Sequence, residues 1–258
     1  MSFNIIQSVY FGFAMNHFSS SQLVLPLSFV SVFSFENFII ASDNRIAFQS
    51  LVHFITSDCN SESLIIVGNS GTGKTHLLKA AVEKISVSFS CLYLHVEYIK
   101  SLFSDSSDKD RCLQLLSGYQ HINFLALDGL ELLENNELVQ EFVLYFINFL
   151  KASHGKILVA SKLDPNHIVG LRVELKSRLL WGSVVHMGVL NDSELGLVMK
   201  KIGFDRGLDL SEELVNFLVM RLPRSPHDYV QAINQLDQYG MLFSRNLSIP
   251  LAKDVLQL

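Results

Sequence analysis

Between Leu64 and Leu78 the chain reads Leu-Ile-Ile-Val-Gly-Asn-Ser-Gly-Thr-Gly-Lys-Thr-His-Leu-Leu. Gly68, Gly73, Lys74 and Thr75 stand at the G-x-x-x-x-G-K-[ST] spacing of a P-loop. In such a loop Gly68, Asn69, Ser70, Gly71, Thr72 and Gly73 curl so that successive N–H groups point inward. The helix that begins near Lys74 and His76 adds the positive end of its dipole. The concavity suits a phosphate chain, with Lys74 on the β and γ phosphates of ADP or ATP and the Thr75 hydroxyl on Mg2+. A strand of four apolar residues before the loop, and Leu77, Leu78, Ala81, Val82 and Ile85 at helical spacing after it, supply the context the motif requires.

Asp128 ends a second apolar run, Ile122 to Leu127, as expected of a carboxylate that holds magnesium beside a P-loop. The next residue is Gly129, where a second acid would orient the attacking water, and Glu131 stands two residues further on, outside the expected reach. Hydrolysis by the chain alone is therefore expected to be slow. Arg178, ahead of the fifth strand and beside the expected ligand edge of the sheet, has three open uses: a solvated charge, a phosphate contact in its own site, or a finger inserted into a neighbour's site. Spacing does not choose among them. His95 and His186 read as packed or surface imidazoles, and no metal-ligand cluster is seen.

These groups need a scaffold. Apolar runs at Leu64–Val67, Cys91–Val96, Ile122–Leu127, Lys156–Ala160 and Val184–Val189 alternate with helical patterns, which predicts a parallel α/β sheet covered on both faces, with ligands at its carboxyl edge. Helices are expected at about Asn44–Phe54, with Ile46, Ala47, Leu51 and Phe54 inward, and around a core stripe of Leu138, Phe142, Tyr145, Phe146 and Phe149. From Asn191 onward only helices are expected. Asp192 and Ser211 are candidate N-caps, Gly203 and Gly207 breakers, and Pro226 and Pro250 lie near helix starts. The expected division is a leader at 1–21, a peptide at 22–27, a nucleotide-binding domain at 28–190 and a helical lid at 191–258.

Of 258 residues 49% are hydrophobic and 17% charged, enough for a sizeable core, with a polar loop expected at Ser104–Asp110. A net charge of −5 argues against binding nucleic acid by phosphate neutralisation. Cys59, Cys91 and Cys112 are widely spaced, the pattern of reduced thiols in a cytosol, and no run approaches a membrane span. The first twenty residues lack the basic start and cleavage site of a signal peptide, and Met15 reads as the true start. Gln22-Leu23-Val24-Leu25-Pro26-Leu27 should be extended, because Pro26 forbids a helix. It would either pack on its own domain, which composition favours, or insert into a partner's groove.

Together, Phe35-Glu36-Asn37-Phe38, the P-loop, Leu175-Lys176-Ser177-Arg178 with Trp181-Gly182, and the closing Ile249 to Leu258 resemble the AAA+ family of the bacterial initiator DnaA. The resemblance covers Gln22 to Leu258 and is strongest to the family's shortened, Hda-like branch of DnaA regulatory inactivators. It implies a P-loop AAA+ domain with a five-stranded parallel sheet and a small helical lid, located in the bacterial cytoplasm with the replisome. It turns the hexapeptide, through Gln22, Leu23, Leu25, Pro26 and Leu27, into a docking motif for the sliding clamp, the beta subunit of DNA polymerase III. It makes Arg178 an arginine finger acting in trans on ATP held by DnaA. His227 falls where the family places a lid arginine that contacts nucleotide, and Lys162 where an acidic sensor is common. With Gly129, these departures weaken sensing of the γ phosphate and leave the cradle intact. Initiator-type recognition of DNA sequence is expected to be missing, since residues 190–258 hold 7 Lys and Arg against 9 Asp and Glu. The leading expectation is a clamp-tethered regulator that stimulates ATP hydrolysis on DnaA and prevents re-initiation. An adaptor that recruits another protein to the clamp, with Arg178 idle, and a self-sufficient motor are the alternatives. Self-association stays open.

Overall fold

The structure, a computed structural model, describes residues 33–56, 63–103, 118–119, 121–243 and 247–258. The leader with Met15, the peptide Gln22–Leu27, the run Ser104–Asp110, and Cys59 and Cys112 lie outside the described residues.

Five strands form one sheet: β1 (Ser63–Gly68), β2 (Cys91–His95), β3 (Phe124–Asp128), β4 (Lys156–Ser161) and β5 (Ser183–Met187), in the order β2-β3-β4-β1-β5. All four pairings are parallel, so every strand ends at the same edge. Alternation divides the buried side chains between two faces. Leu64, Ile66, Ala126, Leu158 and Ala160 meet α1 (Arg45–Thr56) and α2 (Lys74–Ile85). Ile65, Val67, Leu127, Ile157 and Val159 meet α3 (Val96–Leu102), α4 (Glu137–Ala152) and α5 (Val173–Leu179). Apolar residues on both sides of each inner strand are what a doubly covered parallel sheet requires.

Several local expectations change. The second strand stops at His95, whose Nδ1 accepts the Glu97 N–H at 3.2 Å and caps α3, so Val96 opens a helix. In α1, Ile46 is exposed and Ile55 takes its place in the core. In α4, Tyr145 is exposed; the inward face is Val139, Phe142, Val143, Phe146, Ile147 and Leu150, which follows the helical period rather than the spacing of the aromatics.

The helices α6 (Asp192–Phe204), α7 (Glu212–Arg221), α8 (Pro226–Phe243) and α9 (Ile249–Leu256) build the lid. Asn191, not Asp192, caps α6, in a capping box with Glu194. Ser211 caps α7, and Pro226 and Pro250 lie at helix starts. Gly203 remains inside α6, and Gly207, with φ +72°, carries the left-handed turn that follows it. Leu195, Met199, Leu214, Leu218, Tyr229, Ile233 and Leu251 form the lid core, and Ala41, from the segment before α1, is buried among them. Among the described residues no helix is long and apolar enough to cross a membrane.

One contact fixes the amino edge of the sheet. The Ser63 hydroxyl donates to the Leu179 carbonyl at 3.2 Å, and Gly182 lies so close that a Cβ there would fall on the Ser63 carbonyl oxygen. Gly182→Ala must therefore displace backbone on both strands. The expected loss is about 3 kcal/mol, read from the urea midpoint, and an unchanged midpoint would refute the close approach.

Candidate functional site

The residues from Gly68 to Thr75 close over the end of β1. Gly71 and Gly73 have φ of +79° and +97°, conformations that only glycine adopts cheaply. Gly68 backs onto the Met187 carbonyl, 2.8 Å from where a Cβ would stand, so β5 walls one side of the loop. The Lys74 ammonium is folded into the concavity, donating to the carbonyls of Gly68 at 2.6 Å and Asn69 at 2.7 Å. Burial pushes its pKa down from the ordinary lysine value, while the carboxylates of Glu131 and Asp128 pull it back. A phosphate oxygen entering the loop would take over the hydrogens these carbonyls now hold.

Beside Lys74, the Thr75 hydroxyl donates to Asp128 Oδ2 at 2.6 Å, and the same oxygen accepts the Tyr93 hydroxyl at 2.9 Å. A hydroxyl and a buried carboxylate this close are a donor pair suited to a magnesium ion, which takes most of its ligands from phosphate and water. Lys79, one turn beyond Thr75, lies over the Tyr93 and Phe33 rings at 5.3 and 4.5 Å. Its pKa is lowered by burial and supported by the Asp128 charge.

Glu131 folds back toward the carboxyl edge of the sheet. A 3₁₀ turn over Leu130–Leu133 brings it back over the end of β4, where its Oε2 accepts the Lys162 N–H at 2.9 Å and its Oε1 lies 3.8 Å from the Lys162 ammonium. Lys162 follows Ser161, which pairs with Val67 at the mouth of the P-loop. The acid thus stands two residues after Gly129 in sequence, and with Asp128 its charge offsets part of the lowering that burial imposes on the Lys74 pKa. Gly129 itself has φ +84°, and a Cβ there would meet Leu132 and the His95 ring at 3.0 and 3.4 Å. The turn demands glycine at that position.

Two elements cover the loop. Residues 33–38 strap across α2: the Ser34 carbonyl accepts from His76 Nε2 at 2.8 Å, the Phe33 and Phe38 rings lie 5.4 and 5.5 Å from the imidazole, and a Cβ on Gly73 would be 2.9 Å from Phe38. The His76 ring is committed to this strap, and burial pushes its pKa down from the ordinary imidazole value while the Ser34 carbonyl offsets part of that. From the lid, the Arg224 carbonyl and Pro226 lie 2.9 and 3.6 Å from a Cβ on Gly71, so the start of α8 rests on the apex of the loop. His227 belongs to the first turn of that helix, and its side chain lies outside what the structure describes.

Arg178 is elsewhere. It is in the last turn of α5, next to Leu179, whose carbonyl binds Ser63 at the amino edge. The P-loop lies at the other end of β1, about 17 Å away at ~3.3 Å per residue, beyond the span of an arginine. The expected position beside the ligand edge is therefore corrected, and a phosphate contact within the chain's own site is excluded. The guanidinium stacks 4.6 Å from the centroid of Trp181, which is 55% exposed, and the Lys151 ammonium lies 3.2 Å from the same centroid. Tyr93 escapes a reading by sequence because it reaches Asp128 from a neighbouring strand.

Comparison with known proteins gives this arrangement a family. Residues 30–186 match the family model of the bacterial DnaA ATPase domain, and residues 193–256 match that of the Hda lid domain. An uncharacterized protein of Haemophilus influenzae is 29% identical over 241 residues, covering 93% of this chain and 100% of its own length. Domain III of the Thermotoga maritima initiator DnaA superposes with a TM-score of 0.78 at 22% identity, over 87% of this chain and 95% of that one. AMPPCP-bound DnaA from Aquifex aeolicus superposes at 0.69 and 23% identity, over 80% of this chain and 65% of that one. The chain spans about half the length of the chromosomal replication initiator proteins it matches. With more than half of its residues matched by the first model and its last helices by the second, the chain belongs to the DnaA-related AAA+ ATPase family and carries a lid of the Hda kind.

Proposed function

We propose that the chain is a nucleotide-bound AAA+ regulator that, tethered to the replicative sliding clamp, stimulates ATP hydrolysis by DnaA and so limits re-initiation of replication. The observation that carries this reading is the separation of the two sites. The phosphate cradle, Lys74 with Thr75 and Asp128, occupies the carboxyl edge, while Arg178 stands at the amino edge. A cation that cannot serve its own nucleotide is free to serve a neighbour's. The cradle supports ADP or ATP as ligand, in keeping with a relative that binds AMPPCP, with Mg2+ held by Thr75 and Asp128. When bound, the ion would supply charge neutralisation between phosphates. The lid match supports DnaA as partner. A cytoplasmic, replisome-associated location and docking through Gln22–Leu27 follow from the same reading, with the AAA+ domain at 28–190 and the lid at 191–258.

Mixing the protein with ATP-loaded DnaA, with and without clamp loaded on DNA, tests the reading: hydrolysis should accelerate only when both are present. Replacing Gln22, Leu25 and Leu27 by Ala should abolish clamp retention in gel filtration without lowering the melting temperature, because each leucine contributes about 1.5–3 kcal/mol when buried in a partner's groove. Co-elution of the triple variant with the clamp would refute docking through this peptide. Acceleration by clamp and protein that needs no Arg178 would favour the adaptor.

A further inference from the structure

Gln140, in the first turn of α4, is completely buried. A carboxamide in an apolar core is costly unless every hydrogen-bonding group is used, and here all are. Nε2 donates to the Leu133 carbonyl at 2.8 Å and to the Gly170 carbonyl at 2.9 Å, while Oε1 accepts the Arg172 N–H at 2.7 Å. Leu133 ends the turn that begins after Asp128 and carries Glu131. Gly170 and Arg172 lie at the start of α5, where Arg172 is the N-cap and makes no capping bond with its side chain. Gly170 also lies so close to Asn135 that a Cβ would fall on the Asn135 carboxamide. The far end of α5 is held on the same helix, since Trp181, under Arg178, lies against Lys151 in the last turn of α4. From Gln140 to Lys151, α4 spans about 16 Å at ~1.5 Å per residue, and its two ends meet the segment from Arg172 to Trp181.

We propose that Gln140 is a positioning residue for Arg178: its carboxamide fixes α5 against the turn that carries Glu131, so that the finger takes its place from the nucleotide-facing edge of the sheet. The assignment of Arg178 as a finger rests on the reading given above; the docking of α5 does not. Gln140→Leu keeps an apolar fill and removes all three bonds. Gln140→Glu keeps the shape, and its charge state sets the bonding. A neutral carboxylic acid accepts from Arg172 and donates once, whereas a carboxylate only accepts and sets negative charge against two carbonyls. Burial raises a carboxyl pKa, so this variant should behave more like wild type as pH falls.

The test is amide exchange over residues 172–179 of the full chain, compared with wild type at each pH from about 5.5 to 8, beside the acceleration of DnaA ATP hydrolysis. Gln140→Leu should exchange faster at every pH and lose on the order of tenfold to a hundredfold in acceleration, with the ADP-induced melting shift unchanged. Gln140→Glu should approach wild type in both measurements toward the acid end. Exchange over 172–179 that matches wild type in both variants, or a Gln140→Glu profile parallel to that of Gln140→Leu, would overturn the proposal. Should Gln140→Leu fail to fold, the pH profile of Gln140→Glu decides alone. A wild type that does not accelerate DnaA sinks the finger reading, and the exchange measurements still decide the role of Gln140.

Discussion

Arg178→Ala should fold, bind nucleotide and be retained by the clamp as wild type does, yet lose nearly all acceleration of DnaA ATP hydrolysis. Arginine fingers contribute about 10³ to 10⁵ in rate in well-studied switches, because the guanidinium meets charge that develops on the γ phosphate as its bond to the leaving oxygen breaks. Stability should hardly change. The side chain is half-buried against the exposed Trp181 face, and such stacking contributes about 0.5–1 kcal/mol at exposed sites. Arg178→Lys should rescue poorly, since an ammonium keeps the charge and loses the planar fork that grips two oxygens. Single-turnover hydrolysis by DnaA, with the clamp on DNA, reads the effect. Undiminished acceleration by Arg178→Ala would end the finger assignment and leave the adaptor, in which the protein works only by bringing a partner to the clamp.

The sequence reveals the cradle because its residues are neighbours: the glycines, Lys74 and Thr75 meet through eight consecutive positions. Asp128 is legible for the same kind of reason, as a carboxylate ending an apolar strand, and the five parallel strands follow from their alternation with helices. Partners that meet through crossovers are not legible. Tyr93 meets Asp128 because β2 lies beside β3 in register, with His95 opposite Asp128. Glu131 meets Ser161 and Lys162 only because the 3₁₀ turn folds it over the end of β4. That contact changes the meaning of two departures. Gly129 is required by a left-handed turn under His95, and Lys162, where an acid is common in the family, pairs with an acid supplied by the adjacent turn. Arg178 shows the same limit at larger scale, since its edge of the sheet depends on the direction in which α5 runs. Residue type misleads in the helices, where Tyr145 and Ile46 are apolar enough for a core but lie on the outer faces.

Lys74→Ala should remove the stabilisation that nucleotide confers. A ligand that binds only the folded chain raises its stability by about 2.7 kcal/mol at a hundred times its Kd, which for a chain of this size is a melting shift on the order of 5–10 °C. The variant should show little or none of that shift with ADP or ATP. The shift, rather than the melting temperature itself, is the quantity to compare, because Lys74 also bonds the Gly68 and Asn69 carbonyls, and losing those bonds costs about 1 kcal/mol apiece before any ligand is added. The wild type carries a second signature. Burial lowers the pKa of Lys74 in the free site, and phosphate oxygens favour its charged form, so that binding takes up a proton once the pH exceeds the pKa of the free site. Affinity should therefore fall as pH rises through that lowered pKa, and the fall should begin below the pH at which an ordinary lysine titrates. An equal melting shift in Lys74→Ala and wild type, or a wild-type affinity that stays flat across the alkaline range, would remove Lys74 from the phosphate site.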